Sequence, residues 1–433
     1  MKLQDLQNKK VAFLGLGIEN QALIKFLIAK KVDCQITILD KRPKSTFGLY
    51  FQKFKFQTGK NYDQKLDSFE IIFRSPGYPL FSQNIQKAQK KKAVISSPIK
   101  IFFDLCPTKN IIGVSGTKGK GTTASLIYAI LKKAGKQAFL AGNIGLAPFS
   151  FFNKLTKNSW LVLELSSFHL EDLNLSPKIA VLTNFFPEHL QPADPNNPNY
   201  HKSLENYFKA KLNLDRFQSK DGYFVVNKSL KPKINKLKIK SKIKYFDKVN
   251  YRSRLAGDYN QENIAAAASV VKILKIKDEI VKEAVKNFKP LEHHLELVRE
   301  ARGVKYYDNS FSTTPESSIL DLKSFDRPII LLAGGADKGS NFKNFSKTIK
   351  NRVKFLILFK GQGSEKIKKE LVKLNFPSDK LKIVKSMKEA VKLATKYSKS
   401  GEVVLLSTGC ASFGIFKNYK DRGNQFKQCV KKV

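Results

Sequence analysis

The sequence predicts an α/β protein of three domains, and three observations carry that prediction. The first is size, because 433 residues outgrow one hydrophobic core and suit about three units of roughly 150 residues. The second is alternation: short apolar runs that end in glycine or polar turns are separated by segments of helical periodicity, as in parallel sheets wound right-handedly. The third is a glycine-rich loop between a strand and a helix at Ile111 to Thr123, which reads IIGVSGTKGKGTT.

Residues 1–98 form the first expected domain. A strand over Lys10 to Leu14 runs into a turn with Gly15 and Gly17, a helix over Asn20 to Lys31, and a strand over Gln35 to Leu39 that delivers Asp40. An acidic residue some 20 to 25 positions after such a turn suits a ribose hydroxyl. Asn20 stands where the third glycine of a dinucleotide loop would be, so the same residues also read as an ordinary tight turn. A second turn, Ser75-Pro76-Gly77, follows the apolar run Phe69 to Phe73. Two strand ends aimed at one crevice make this a Rossmann-like, nucleotide-binding domain.

Residues 99–290 form the second. Gly113, Gly116, Gly119 and Gly121 let backbone N–H groups converge, Lys118 and Lys120 supply charge, and Thr122 and Thr123 lead into a helix ending near Gly135. That is a phosphate cradle and predicts a P-loop ATPase-like domain with a mostly parallel sheet. The strict P-loop pattern is broken at Val114, where it needs glycine, and at Gly121, where it needs serine or threonine. The apolar strand Trp160 to Leu163 delivers Glu164, placed to hold magnesium or to cap a helix. Lys178 to Thr183 leads to Asn184 and Glu188-His189, and a helix over Ser203 to Phe217 carries Lys211 on its apolar stripe. Held inside, that amine loses its charge; otherwise it snorkels to water. Lysine-rich residues 227–247 read mainly as loops and one short strand. Asn260 and Asn263 then share a helix face and suit an adenine edge or a cap.

Residues 291–433 form a Rossmann-like C-terminal domain. Its expected strands are Val304 to Tyr307, Ile329 to Ala333, Phe355 to Phe359, Lys382 to Val384 and Val403 to Leu406. The loops after them hold Asp308-Asn309-Ser310, then Gly334 to Lys338, then Ser407 to Ser412, where an open parallel sheet binds its ligand.

Composition narrows the function classes. The charge of +43 comes from 79 basic and 36 acidic residues, but only ten of the basic ones are arginine and lysines occur in every segment. That is a lysine-biased surface rather than a nucleic-acid face, and it favours anionic small substrates. Cys34, Cys106, Cys410 and Cys429 lie far apart with no metal-type spacing, as in a reducing cytosol. The absence of a signal-peptide core or a long apolar run leads us to expect a cytoplasmic protein without a transmembrane segment.

In order along the chain, these residues resemble the Mur ligases, the ATP-dependent amide-forming family of peptidoglycan synthesis, and most of all its D-glutamate-adding branch. The resemblance covers all three domains. It rests on Gly116-Thr-Lys-Gly-Lys120, Gly142-Asn143-Ile-Gly145, Glu164-Leu-Ser-Ser-Phe168, Thr183-Asn184, Glu188-His189-Leu190, Tyr207-Phe-Lys-Ala-Lys211, Asn260 with Asn263, and the stretch Ser407 to Phe426. It implies ATP and magnesium as cofactors, with UDP-N-acetylmuramoyl-L-alanine and D-glutamate as the joined substrates, no nucleic-acid partner, and action as a monomer.

By the same resemblance Gly116, Thr117, Lys118, Gly119, Lys120, Gly121, Thr122 and Thr123 hold ATP with Asn260, Asn263, His294 and Asp308. Gly15, Gly17, Asp40, Ser75, Pro76, Gly77 and Asn143 face the nucleotide-sugar, and Thr313, Lys338, Ser412 and Tyr419 face the acceptor. Lys120, Glu164, His189 and Lys211 are the implied catalytic set. Thr122, Glu164, His189 and an N6-carboxylated Lys211 are the implied metal set. The chain departs from the family pattern at Gly121, Glu188, Tyr259, His294 and Phe311. Gly121 is shared with folylpolyglutamate-type ligases, which with the sister Mur ligases are the alternative function. A nucleic-acid-dependent ATPase is the remote one.

Overall fold

The structure, a computed structural model, describes residues 1–191, 198–337 and 339–433. They fall into two compact units, Met1–Asp247 with Ala265–Val281, and Lys248–Ile264 with Lys282–Val433.

The first unit holds two parallel sheets. One is built from β1 (Lys10–Leu14), β2 (Gln35–Asp40), β3 (Lys55–Thr58), β4 (Ile71–Arg74) and β5 (Val94–Ser96) in the order β3-β2-β1-β4-β5. Strand order reverses direction between β2 and β4 on either side of β1, so the turns after β1 and β4 face one crevice. The other sheet has β6 (Ile111–Ser115), β7 (Ala138–Gly142), β8 (Trp160–Glu164), β9 (Ile179–Leu182), β10 (Tyr223–Asn227) and β11 (Lys242–Phe246), in the order β11-β10-β9-β6-β8-β7. β6 is buried at all five positions because helices cover both faces of the sheet, which is why it reads as a continuous apolar run.

An aromatic cluster joins the two sheets into one unit. Phe26, on the helix after β1, packs 4.7 Å from Phe149 and 4.7 Å from Phe152, and Phe102 packs edge-on to Phe149 at 5.5 Å. Phe102 lies on the helix Pro98–Leu105, which starts with Pro98 in the first turn and with Ser97 Oγ accepting from Lys100 N.

The second unit contains β12 (Glu296–Ala301), β13 (Val304–Asp308), β14 (Ile329–Ala333), β15 (Val353–Phe359), β16 (Leu381–Val384) and β17 (Val403–Leu406), in the order β12-β13-β17-β14-β15-β16. All pairs are parallel except β12 with β13. The antiparallel edge strand β12 was not expected from sequence. Its burial alternates only loosely, with Leu297 exposed, so it lacks the apolar run that marks its neighbours.

Between residues 227 and 247 the expected loops prove partly regular. Lys231–Ile234 is helical and Lys242–Phe246 pairs with β10 as an edge strand. Lys242–Phe246 is the one short strand expected there, its exposed Lys242 and Lys244 alternating with the partly buried Ile243 and Tyr245.

Candidate active site

The phosphate loop is shaped by glycine at two points of positive φ. Gly116 has φ +147°, and a Cβ there would lie 1.9 Å from Thr183 Oγ1. Gly119 caps the helix Lys120–Lys133 in the left-handed region, at φ 78°. The loop after β9 grips the cradle from beneath. Asn184 Oδ1 accepts from Thr117 N (3.2 Å) and Lys118 N (2.8 Å), while Asn184 Nδ2 and Thr183 Oγ1 donate to Lys118 O at 3.0 and 2.7 Å. Thr183 and Asn184 are thus part of the site, although the sequence assigned them no role. Their signal was position, directly after an apolar strand.

Charges converge here. Lys120 Nζ donates to Thr117 O at 3.0 Å, and Lys118 Nζ meets Glu188 Oε1 at 2.7 Å. Burial raises the Glu188 carboxyl, but Lys118, His189 and Lys120 outweigh it and hold the group well below the ordinary carboxylate range. Burial, with Lys120, Lys211 and Lys118, pushes the His189 imidazole down to about 4 against the pull of Glu188. Lys211 is 2 % exposed, donates to Gly116 O at 2.7 Å and lies over the Tyr207 ring at 4.6 Å. Burial and then Lys120 drive its pKa far down, against Glu188 and Glu164. The amine on the apolar stripe is therefore held inside, where burial disfavours its charged form.

Glu164 ends β8 in a buried position. Asn143 Nδ2 donates to its Oε1 at 3.2 Å, and Asn143 N donates to its carbonyl at 2.9 Å. Gly142, at φ +96°, permits this approach, since a Cβ there would lie 2.2 Å from Glu164 O. Thr122 and Thr123 are both buried in the first turns of the helix after the loop. These residues fit a polyphosphate with magnesium: a backbone cradle at a helix start, two lysines, one buried carboxylate and an exposed imidazole. As a free amine Lys211 adds no anionic ligand, whereas a carbamate on it does.

In the first sheet, Gly15 adopts φ +82°, and a Cβ there would press on Ser75 Oγ at 2.6 Å, so the two turns pack tightly. Gly17 caps the helix Ile18–Ala29. Asn20, in place of a third glycine, donates to Gly15 O at 2.7 Å and to Phe73 O at 3.4 Å, and so ties the turns together. Asp40 is fully engaged by protein: it accepts from Leu16 N (2.7 Å) and from the backbone and guanidinium of Arg42 (2.8 to 2.9 Å). It thereby fixes Arg42 above Phe47, 4.7 Å from the ring, a crevice residue that sequence reasoning missed.

The second unit gathers a separate set. Asn263 Nδ2 donates to Asn260 Oδ1 at 2.8 Å, and Asn260 Nδ2 donates to Ala256 O at 2.6 Å, so the two side chains are linked within the first turns of the helix Asp258–Ile273. Asp308 points inward, with one oxygen on His293 Nδ1 (2.7 Å) and the other accepting from Ser310 N (2.8 Å). Gly423 leaves room for that pair, since a Cβ there would lie 2.2 Å from His293 Nδ1. Glu296 lies close enough to complete a three-residue cluster, but it pairs with Lys427 at 2.7 Å. His294 stacks on the half-exposed Phe311 at 4.2 Å, and Phe311 meets Tyr419 edge-on at 5.2 Å.

Arg422, fully buried, donates to Ser310 Oγ and O and to Cys410 O, and Ser310 Oγ donates to Tyr419 O at 2.7 Å. This arginine, missed in sequence, joins the loops after β13 and β17 that carry Thr313 and Ser412. Lys338 lies outside the described residues.

Fold and site together define a nucleotide-binding α/β protein with a phosphate cradle and a buried lysine at its wall. Three family models match in order: the Mur ligase MurD-like N-terminal domain over residues 9–97, the Mur ligase middle domain over 114–247, and the Mur ligase glutamate ligase domain over 293–410. The chain is 34 % identical over 99 % of its length to the UDP-N-acetylmuramoylalanine–D-glutamate ligase of Clostridium tetani, covering 98 % of that protein. It is 35 % identical to the enzyme of the same name from Clostridium kluyveri, over 99 % of this chain and 97 % of that one. The solved UDP-N-acetylmuramate–alanine ligase of Thermotoga maritima shares the fold at a TM-score of 0.59 and 16 % identity, covering 98 % of this chain and all of the other. The chain belongs to the Mur ligase family.

Proposed function

We propose that the protein is the ATP-dependent ligase that adds D-glutamate to UDP-N-acetylmuramoyl-L-alanine in peptidoglycan synthesis. The observation that carries the chemistry is the phosphate cradle with Lys211 buried on the Gly116 carbonyl beside Glu164 and His189. The full-length likeness to D-glutamate ligases supports the choice of substrates.

In this reading the alanyl carboxylate attacks the γ-phosphorus of ATP. An O–P bond forms, the bond to the β-phosphate oxygen breaks, and ADP leaves. The amine of D-glutamate then adds to the acyl carbon, loses a proton, and expels phosphate as the amide forms. Two anions must approach in the first step, so Lys120 and the loop N–H groups hold and neutralise the phosphates. Bound magnesium supplies further charge neutralisation, held by Thr122, Glu164, His189 and a carboxylated Lys211. A neutral lysine amine is the form that takes up carbon dioxide, and the buried environment of Lys211 favours that form.

The first sheet takes the uridine nucleotide on Gly15, Gly17 and Ser75 to Gly77, with Asp40 acting through its hold on Arg42 and Leu16 and with Asn143 at the muramoyl group. Asn260, Asn263 and His294 serve ATP, with Asp308 acting through the neighbouring His293 that it holds, and Thr313, Lys338, Ser412 and Tyr419 serve the acceptor. The domains are 1–98, 99–290 and 291–433. A monomeric, cytoplasmic enzyme suits nucleotide substrates, free cysteines and, among the described residues, no helix long and apolar enough to cross a membrane.

An oxygen-transfer experiment tests the acyl phosphate. With the substrate carboxylate isotopically labelled in oxygen, one label should appear in the released phosphate. Unlabelled phosphate would rule out this order of bond making.

A further inference from the structure

Arg74 is the last residue of β4 and has no exposed surface. Burying a guanidinium costs several kcal/mol unless its donors are met. Here they are met on two sides. Toward its own loop, Nη1 donates to Tyr78 O at 2.7 Å and reaches Pro76 O at 3.5 Å. Toward the second sheet, Nη2 donates to Phe168 O at 3.0 Å and to Asp172 Oδ2 at 3.1 Å, Nε reaches the same oxygen at 3.3 Å, and Glu171 Oε2 lies 3.6 Å away.

Phe168 to Asp172 begin within the short helix Ser167–Leu170, which starts three residues after Glu164. A second tie runs alongside. Asn199 Nδ2 donates to Pro76 O at 2.8 Å and to Glu171 Oε2 at 3.4 Å. Glu171 Oε1 lies 3.4 Å from His201 Nδ1, while His201 Nε2 meets Ser167 Oγ at 2.9 Å and His201 N donates to His189 O at 2.8 Å. The Ser75–Gly77 turn is thus fastened to the segments that carry Glu164 and His189.

We propose that Arg74 is a positioning residue for nucleotide-sugar binding: its guanidinium locks the Ser75–Gly77 turn onto the Phe168–Asp172 segment, so that a uridine diphosphate bound at the turn is held in fixed register with the phosphate cradle. This rests on the reading of that turn as the uridine-nucleotide site. Arginine suits the task because a rigid planar fork satisfies carbonyls and a carboxylate on opposite sides at once, which lysine does not.

The test compares wild type with Arg74→Met, Asp172→Asn and the double variant, reading UDP affinity by calorimetry, KM for each substrate, and thermal stability. Arg74→Met should weaken UDP binding and raise KM for UDP-N-acetylmuramoyl-L-alanine by about tenfold or more, leaving KM for ATP and for D-glutamate nearly unchanged. Asp172→Asn, which keeps the contacts of Arg74 to the turn, should shift the same constants less.

Arg74→Met also orphans a buried carboxylate, so the double variant should regain thermal stability while its UDP affinity stays low. Recovery of affinity along with stability would reduce Arg74 to a structural role, and equal losses for all three substrates would do the same. If Arg74→Met does not fold, the double variant and Asp172→Asn decide by the same criterion. A wild type that neither binds UDP nor ligates overturns the functional reading itself; a wild type that binds UDP as tightly as Arg74→Met overturns only the role of Arg74.

Discussion

Lys211 tests the site most sharply at the scale of a residue. Lys211→Ala should reduce turnover roughly 100-fold or more, since it removes the group that would hold magnesium against the transferred phosphoryl group. If the carbamate is the working form, a short-chain carboxylic acid should restore part of the activity and added bicarbonate should not; near-wild-type activity in Lys211→Ala would refute the role.

His201 gives a pH prediction. Burial, His189 and Lys211 depress its pKa to about 3 from an ordinary 6.5, so its stabilising contribution is complete above about 6.5 and drains as pH falls from there toward 3. The melting temperature of wild type should therefore drop more steeply between pH 6.5 and 4 than that of His201→Gln, and parallel curves would refute the assignment. What was legible at this scale was residue type in context: a lysine on an apolar helix stripe, an acid at a strand end, glycines in a turn. What was not legible was pairing across distant segments. Arg74 with Asp172 and Arg422 with Ser310 are set by tertiary packing, and no local periodicity signals them.

Elements were legible where burial was two-sided. β1, β14 and β17 fall on the residues expected, because strands covered on both faces stand out as apolar runs between polar turns. β3, β5 and β12 escaped, being short or edge strands with mixed burial. The helix after the phosphate loop starts at Lys120, earlier than its apolar period suggests, because Gly119 caps it and the first turn carries loop residues.

Two substitutions probe this element. Gly116→Ala should nearly abolish ATP binding, since its Cβ collides with Thr183 Oγ1 and the backbone sits at φ +147°; unchanged affinity by calorimetry would mean that the loop is differently shaped. Thr122→Ala should cost more activity than Thr123→Ala, because Gly121 shifts the magnesium hydroxyl by one position; the reverse order would refute that register. Away from the site, Phe102→Ala should destabilise the first unit by about 3–5 kcal/mol in chemical denaturation, as the aromatic cluster between its sheets loses its centre.

For the whole molecule, the charge of +43 should raise the local concentration of anionic substrates, so raised salt should slow the reaction at low substrate more than at saturation. Three domains were legible from length and from the order of strand-end motifs, whereas the packing of the first two sheets into one unit rests on Phe26, Phe102, Phe149 and Arg74, which no motif announces. The central claim is ligation of D-glutamate to UDP-N-acetylmuramoyl-L-alanine, and the direct measurement is ADP and phosphate release by the purified protein as each component is left out in turn. Release should require ATP, magnesium, the nucleotide-sugar and D-glutamate together, with one amide formed for each phosphate. Equal turnover with L-glutamate, with a folate acceptor, or without the nucleotide-sugar would contradict it.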